Sequence, residues 1–175
     1  MAANIHQLPW MVMGDFNIIR NDSERRGGQP RLALAMEEFN DWVGACGLLD
    51  MPFCGNSFSW CNGHSGRSRQ WARLDRCFLN TAALDIFPDA KLEYLSRTSS
   101  DHAPMSIFLE NQFVSYGYPS FKFQQMWWNK HVFGRTEFHI AELEARIRGL
   151  EASLQSEYIK DVEDDLVVSQ LELSV

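Results

Sequence analysis

Leu8-Pro9-Trp10-Met11-Val12-Met13 is an unbroken apolar run that stops at Gly14-Asp15-Phe16-Asn17. Continuous apolarity followed by polar punctuation predicts a buried strand with functional groups at its carboxyl end. The rest of the chain must supply the layers that bury it. Asn21 to Pro30 is a loop rich in Gly, Arg and Asp, and a helix is expected next, from Leu32 to Cys46. Pro30 suits its first turn, and Leu32, Met36, Phe39, Val43 and Cys46 recur at steps of four and three. Gly47 suits its C-terminal cap. That stripe covers one face only, which places the helix on the outside of a sheet.

Short segments with strand character follow: Leu48 to Met51, Ser57 to Cys61 and Trp71 to Leu79. In the last, Leu74, Arg76 and Phe78 alternate with Arg73, Asp75 and Cys77, which gives the two faces different jobs. Asn62 to Gly66 has hairpin-loop chemistry. Thr81 is the expected N-cap of a short helix ending near Pro88. Lys91 to Leu95 and Met105 to Leu109 complete the strands, separated by the polar loop Ser96 to His102, and Met11 to Asp15 and Met105 to Leu109 are expected in one sheet. With 45% hydrophobic and 13% aromatic residues in 175, a packed core is expected and wholesale disorder is excluded.

The texture changes after Glu110. Gly117-Tyr118-Pro119 breaks the chain, Phe121-Lys122-Phe123 alternates briefly, and Trp127-Trp128 follows. Two units are therefore expected, 1–115 and 116–175, the second a linker and an acidic, mainly helical tail standing apart. From Thr136 to Leu173 there is no proline, and Ile140, Leu143, Ile147, Leu150 and Leu154 keep a three-four rhythm. Glu157 and Asp161 break it, so the seam is shorter than a coiled coil needs. No apolar run is long enough to cross a bilayer, and Met1 to Trp10 lacks signal-peptide regions. An intracellular protein, nuclear or cytoplasmic, is expected; Arg25-Arg26 is too short for a nuclear signal.

The net charge is −7, which speaks against a surface basic all over. The tail from Tyr116 carries six basic and ten acidic residues, whereas Arg67, Arg69, Arg73 and Arg76 face one acid, Asp75, between Ser57 and Cys77. Such a strip is compatible with a phosphate-bearing substrate, but by itself it reads first as a solvated loop. Cys46, Cys54, Cys61 and Cys77 are spaced by 8, 7 and 16, and none makes the close pair of a structural zinc site. Buried free thiols are expected instead.

Asp15 and Asn17 sit two apart just past the first strand, so both can reach one spot. Asp101 and His102 sit just before the last strand, and Asp75 lies mid-strand among arginines. Phosphodiester hydrolysis uses these groups. Carboxylates hold a hard divalent cation through oxygen, an amide fixes the phosphate, and an imidazole held by a carboxylate handles a proton. Each also has an ordinary structural reading: an Asx turn, a loop, an ion pair.

In this order the motifs Gly14-Asp15-Phe16-Asn17, Arg73-Leu74-Asp75-Arg76 and Ser100-Asp101-His102-Ala103-Pro104 resemble the endonuclease/exonuclease/phosphatase superfamily, the group of DNase I and the apurinic endonucleases. The segments between them are similar to the endonuclease domain of plant LINE-type (non-LTR) retrotransposons: the Pro-Trp strand, the Gly-Gly-Gln-Pro loop, Met36-Glu37-Glu38-Phe39, Cys46 to Asp50 and Phe58-Ser59-Trp60. The resemblance covers roughly Leu8 to Glu110. Phe121 to Gly134 resembles the linker that follows this domain in those elements.

The resemblance implies an α/β (α+β) fold, the C-terminal half of a DNase I-like two-sheet sandwich, and Mg²⁺ (or Mn²⁺) with DNA as partner. It implies that Asp15 activates the attacking water or the leaving group and that Asn17 binds the phosphate. Asp75 would orient His102, and Asp101 would serve the metal site. Arg73 and Arg76 are candidate phosphate contacts. Family members also carry an Asn and a metal-binding Glu on strands before Gly-Asp-Phe-Asn. Only 14 residues precede Asp15, so weak or no activity and an exposed inner sheet face are expected. Three readings stay open: a metal-dependent nuclease, a retrotransposon-derived remnant with no competent site, and an interaction module whose helical tail pairs with itself or another chain.

Overall fold

The computed structural model describes residues 8–29, 33–97, 100–109 and 134–173. In chain order its elements are β1 (Met11–Asp15), β2 (Arg25–Arg26), α1 (Ala33–Ala45), β3 (Leu48–Asp50), β4 (Phe53–Gly55) and β5 (Trp60–Cys61). Then come β6 (Trp71–Ala72), β7 (Asp75–Asn80), α2 (Thr81–Ile86), β8 (Lys91–Tyr94), β9 (Met105–Phe108), α3 (Gly134–Ser156) and α4 (Lys160–Leu173). The expected mixed α/β class is what the chain forms. Pro30, Leu32, Ser99 and the Phe121 to Trp128 linker lie outside the described residues.

The strands form three three-stranded sheets, ordered β1-β7-β3, β2-β6-β5 and β4-β8-β9. The buried strand is β7, all six of whose residues are buried. Its alternation serves two cores. Cys77 and Leu79 meet Met51, Leu92 and Tyr94, joining this sheet to β8 and β9. Phe78 faces the other way, to Val43 and Leu48, with Phe16 and Phe39 packed around it. The Phe16 and Phe39 rings lie 5.2 and 6.1 Å from that of Phe78, both edge-on. Truncating a ring so enclosed typically costs about 3–5 kcal/mol. Helix α1 covers this second face as its stripe requires, and Gly47 ends it at φ +63, where a side chain would be strained.

Four expectations need correction. The first apolar run is an edge strand rather than a buried one: Val12 joins the Phe78 cluster, but Met13 on the opposite face is 53% exposed. Second, Met11–Asp15 and Met105–Phe108 do not share a sheet. β7 is already flanked by β1 and β3, so β9 pairs with β8 and meets β7 face to face through the core. Third, Trp71 to Leu79 is two strands. Leu74 and Asp75 N–H both donate to the Ser59 hydroxyl instead of a neighbouring strand, and this break lets one run serve two sheets. A smaller point is that Asn80, not Thr81, caps α2, accepting from Ala83 N–H at 3.0 Å.

Fourth, the tail does not stand apart. It is a helical hairpin that turns between Ser156 and Lys160, where the rhythm fails, and its seam residues Ile147, Leu154 and Leu166 pack on Cys61 and Trp71. Glu151 is fully buried, 2.6 Å from Arg97 and 2.9 Å from the Asn56 amide. The apolar seam is thus spent on this chain's own strands. No helix among the described residues is long and apolar enough to cross a membrane. All four cysteines are free thiols, Cys61 and Cys77 buried.

Candidate active site

Asp15 closes β1 directly opposite Asp75, the first residue of β7. Residues opposed across an antiparallel ladder project to one face. Gly14, just before, has φ +148, a conformation side chains disfavour, and Phe16 N–H then bonds Leu74 O at 3.0 Å. The strand therefore ends with Asp15 held at the mouth of the sheet.

His102 arrives from the loop before β9. That loop is stitched to β5: Cys61 N–H donates to Asp101 O at 2.9 Å, Ala103 N–H donates to Ser59 O at 2.6 Å, and Trp60 and His102 form an isolated bridge. His102 Nδ1 consequently lies 2.8 Å from Asp75 Oδ2, and Nε2 lies 4.0 Å from Asp15 Oδ2. An ionised carboxylate can only accept, so Nδ1 carries the hydrogen and Nε2 is left facing Asp15 and the opening. Exposure grades with depth. The Asp75 side chain is 10% accessible, His102 30% and Asp15 32%.

Asp75 is itself held from behind. Its N–H and that of Leu74 converge on Ser59 Oγ at 2.9 and 3.0 Å, and Tyr94 Oη donates to its carbonyl at 2.5 Å. Burial pushes the Tyr94 phenol well up, which keeps it a donor. Ser59 and Tyr94 are positioning residues that the sequence reading did not assign. The one available signal was a small polar residue between two aromatics, Phe58-Ser59-Trp60.

The remaining expected site residues fall as follows. Asn17 sits beside Asp15 in the left-handed region (φ +56), its backbone N–H 2.8 Å from Asp15 Oδ1. Asn tolerates this conformation better than most residues. Asp101 is exposed and turned to Trp60, whose indole N–H donates to it at 3.0 Å. That bond holds the Asp101 carboxyl below the ordinary carboxylate range. It lies outside the group formed by Asp15, Asp75 and His102.

Arg73 and Arg76, the expected phosphate contacts, are both held by carboxylates. Arg76 is fully buried, bonded to Glu24 and 2.9 Å from Asp50, while Arg73 bonds Glu24, approaches Asp50 at 3.2 Å and covers the Phe53 ring at 4.5 Å. Burial alone would raise the Glu24 pKa. The hydrogen bonds from Arg76 and the Arg20 N–H, with the charges of Arg76 and Arg73, hold it below the ordinary value instead. This cluster welds the Asn21 to Arg26 segment to β7 and β3.

Asp15, Asp75 and His102 each offer a ligand atom within 4.8 Å of the others. Two carboxylates suit a hard divalent cation that keeps most of its shell for water and phosphate. Asp75 Oδ2 is engaged by His102, so Asp15 is the freer of the two to hold it. A cation bound there supplies charge stabilisation to a phosphoryl oxygen. Compared with protein-family models, residues 1–102 match the endonuclease/exonuclease/phosphatase family. No curated protein and no solved structure matches the chain.

Proposed function

We propose that this chain, which belongs to the endonuclease/exonuclease/phosphatase family, carries a divalent-metal-dependent phosphodiesterase site of the DNA endonuclease type. The observation that carries the reading is the relay Asp75–His102–Asp15, with contacts of 2.8 and 4.0 Å between residues 75, 102 and 15. Asp75 fixes the imidazole so that Nε2 points outward. Once Nε2 has taken a proton from solvent, the imidazolium donates a hydrogen bond, or that proton, to a phosphate oxygen as negative charge builds on it. Asp15 stands where it can orient a water for in-line attack or hold Mg²⁺ or Mn²⁺. Asn17, next to it, is assigned to the phosphate.

The motif wording favours an origin in a plant LINE-type element. Among the described residues the site clusters two carboxylates, Asp15 and Asp75. Two carboxylates leave a divalent cation mostly water-ligated, so slow cleavage is expected of this site. Mg²⁺-dependent nicking of supercoiled plasmid by the 175-residue chain tests the reading. Slow nicking that disappears in His102→Ala and in chelator supports it. Metal-independent nicking, or nicking untouched by His102→Ala, overturns it. The alternative of a protein-interaction tail has less support, since the apolar seam it would use is packed on Cys61 and Trp71.

A further inference from the structure

The tail helices carry ten acidic residues against four basic ones between Gly134 and Leu173, and they dock on an edge that holds Arg69 and Arg97. Two carboxylates make the ion pairs. Glu151 takes Arg97 through Nε at 3.2 Å and Nη2 at 2.6 Å. Glu163 takes Arg69 Nη2 at 2.5 Å, together with Gly66 N–H at 3.2 Å and the Tyr158 hydroxyl at 3.1 Å. Between the two guanidinium groups lies Trp71, its ring 5.7 Å from Arg69 and 4.4 Å from Arg97. A cleft of about 320 Å³ runs from Arg69, Arg97 and Glu151 to Ser100 and Asp101, the residues that lead into His102.

The carboxylates do not satisfy these arginines. Arg97 Nη1 and Arg69 Nε are buried and have no hydrogen-bond partner among the described residues. A buried donor left unpaired costs about 1–3 kcal/mol. A buried ion pair seldom repays its desolvation in full, so the contact is exchangeable against a ligand with more acceptor oxygens. Phosphodiester groups are such ligands, and guanidinium pairs with them in bidentate fashion.

We propose that Arg69, Trp71 and Arg97 form a face for the phosphate backbone of DNA beside the catalytic histidine, and that the acidic hairpin α3–α4 occupies it as an internal competitor. The proposal rests on the phosphodiesterase reading for its substrate class, but the hairpin's role is a separate matter. DNA and the tail exclude one another, and the strand that enters must displace Glu151 and Glu163.

Binding of a fluorescent DNA duplex to the full chain tests this in chelator, where no cleavage occurs. Failure of the catalytic reading therefore leaves the measurement intact, and the reverse also holds. In Glu151→Gln/Glu163→Gln, duplex affinity should rise about tenfold at 50 mM salt. Replacing the arginines themselves, Arg69→Gln/Arg97→Gln, should flatten the slope of log affinity against log salt by about two, one phosphate contact for each arginine lost. Combining all four replacements should remove the tenfold gain. In the unaltered chain, saturating duplex should speed amide hydrogen exchange across α3 and α4. The proposal is overturned if Glu151→Gln/Glu163→Gln binds with unchanged affinity. It is equally overturned if the gain survives loss of both arginines, if that loss leaves the salt slope unchanged, or if saturating DNA leaves tail exchange unaltered.

Discussion

Replacing Glu24 by alanine tests the ion cluster that seats β7. Arg76 is fully buried and bonds both Glu24 oxygens' side of the cluster through Nη1 and Nη2, while Arg73 takes the same carboxylate. Glu24 also accepts the Arg20 N–H at 2.7 Å. Removing it leaves two guanidinium groups sharing Asp50, itself 21% exposed. Breaking a buried pair from one side costs about 3–5 kcal/mol, chiefly the charge left behind. Because Asp50 stays within 2.9 Å of Arg76, the lower end applies, about 3 kcal/mol. For a chain of this size that lowers Tm by about 6–12 °C. Thermal and urea unfolding followed by circular dichroism measure it. The double replacement Glu24→Leu/Arg76→Met should recover most of the loss, since packed apolar groups of similar volume often equal a buried pair. A Glu24→Ala loss under 1 kcal/mol would show that the cluster is solvated and that the desolvation reasoning is wrong.

Other outcomes follow from the same contacts. The Glu24 pKa is depressed in the fold, so its contribution is present above the ordinary value of 4.5 and fades as pH falls through the lower folded value. The stability gap between the unaltered chain and Glu24→Gln should therefore close in acid, as read from urea midpoints between pH 6 and pH 3. Ser59→Ala strips the acceptor from two buried N–H groups and should cost about 2–4 kcal/mol by urea unfolding; a neutral result would sink its positioning role. Asp75→Asn should lower plasmid nicking about 10²-fold or more with little change in duplex binding, because the imidazole loses its orienting acceptor. Burial pushes the Cys77 thiol up to about 11, so iodoacetamide at pH 8 should label exposed Cys54 first and reach Cys77 only on unfolding, as peptide mapping would show.

What the sequence made legible was local. The 3.6-residue stripe from Met36 to Cys46 announces α1 because burial on one face writes itself into a helix at that spacing. Asp75 and His102 could be paired only through the family resemblance, since they are 27 positions apart and share no periodicity. The fate of the arginines was hidden for a related reason. Arg69, Arg73 and Arg76 read as part of a phosphate strip, but their partners Glu163, Glu24 and Asp50 lie 23 to 94 positions away. Neighbouring residues carry no trace of such pairing. Periodicity found the buried part of the α3 seam, Ile147 to Leu154, though Ile140 is exposed, and could not say what it faces, which is why the hairpin's docking was unforeseen. The strand break at Arg73-Leu74 turns on one hydroxyl, Ser59 Oγ, and no propensity registers that.

The distance between the two halves of the tail contact also sets a clock for synthesis. Asn56 and Glu151 are 95 positions apart, and Trp71 waits similarly for Leu166. A ribosome adds about 5–20 residues per second, so the Trp71 patch leaves the exit tunnel roughly 5–20 s before its cover exists. During that interval the strands β5 and β6 present an apolar, arginine-flanked surface to solvent. Nascent chains of this protein should therefore need a holding chaperone, or another polyanion such as ribosomal RNA, until residue 166 emerges.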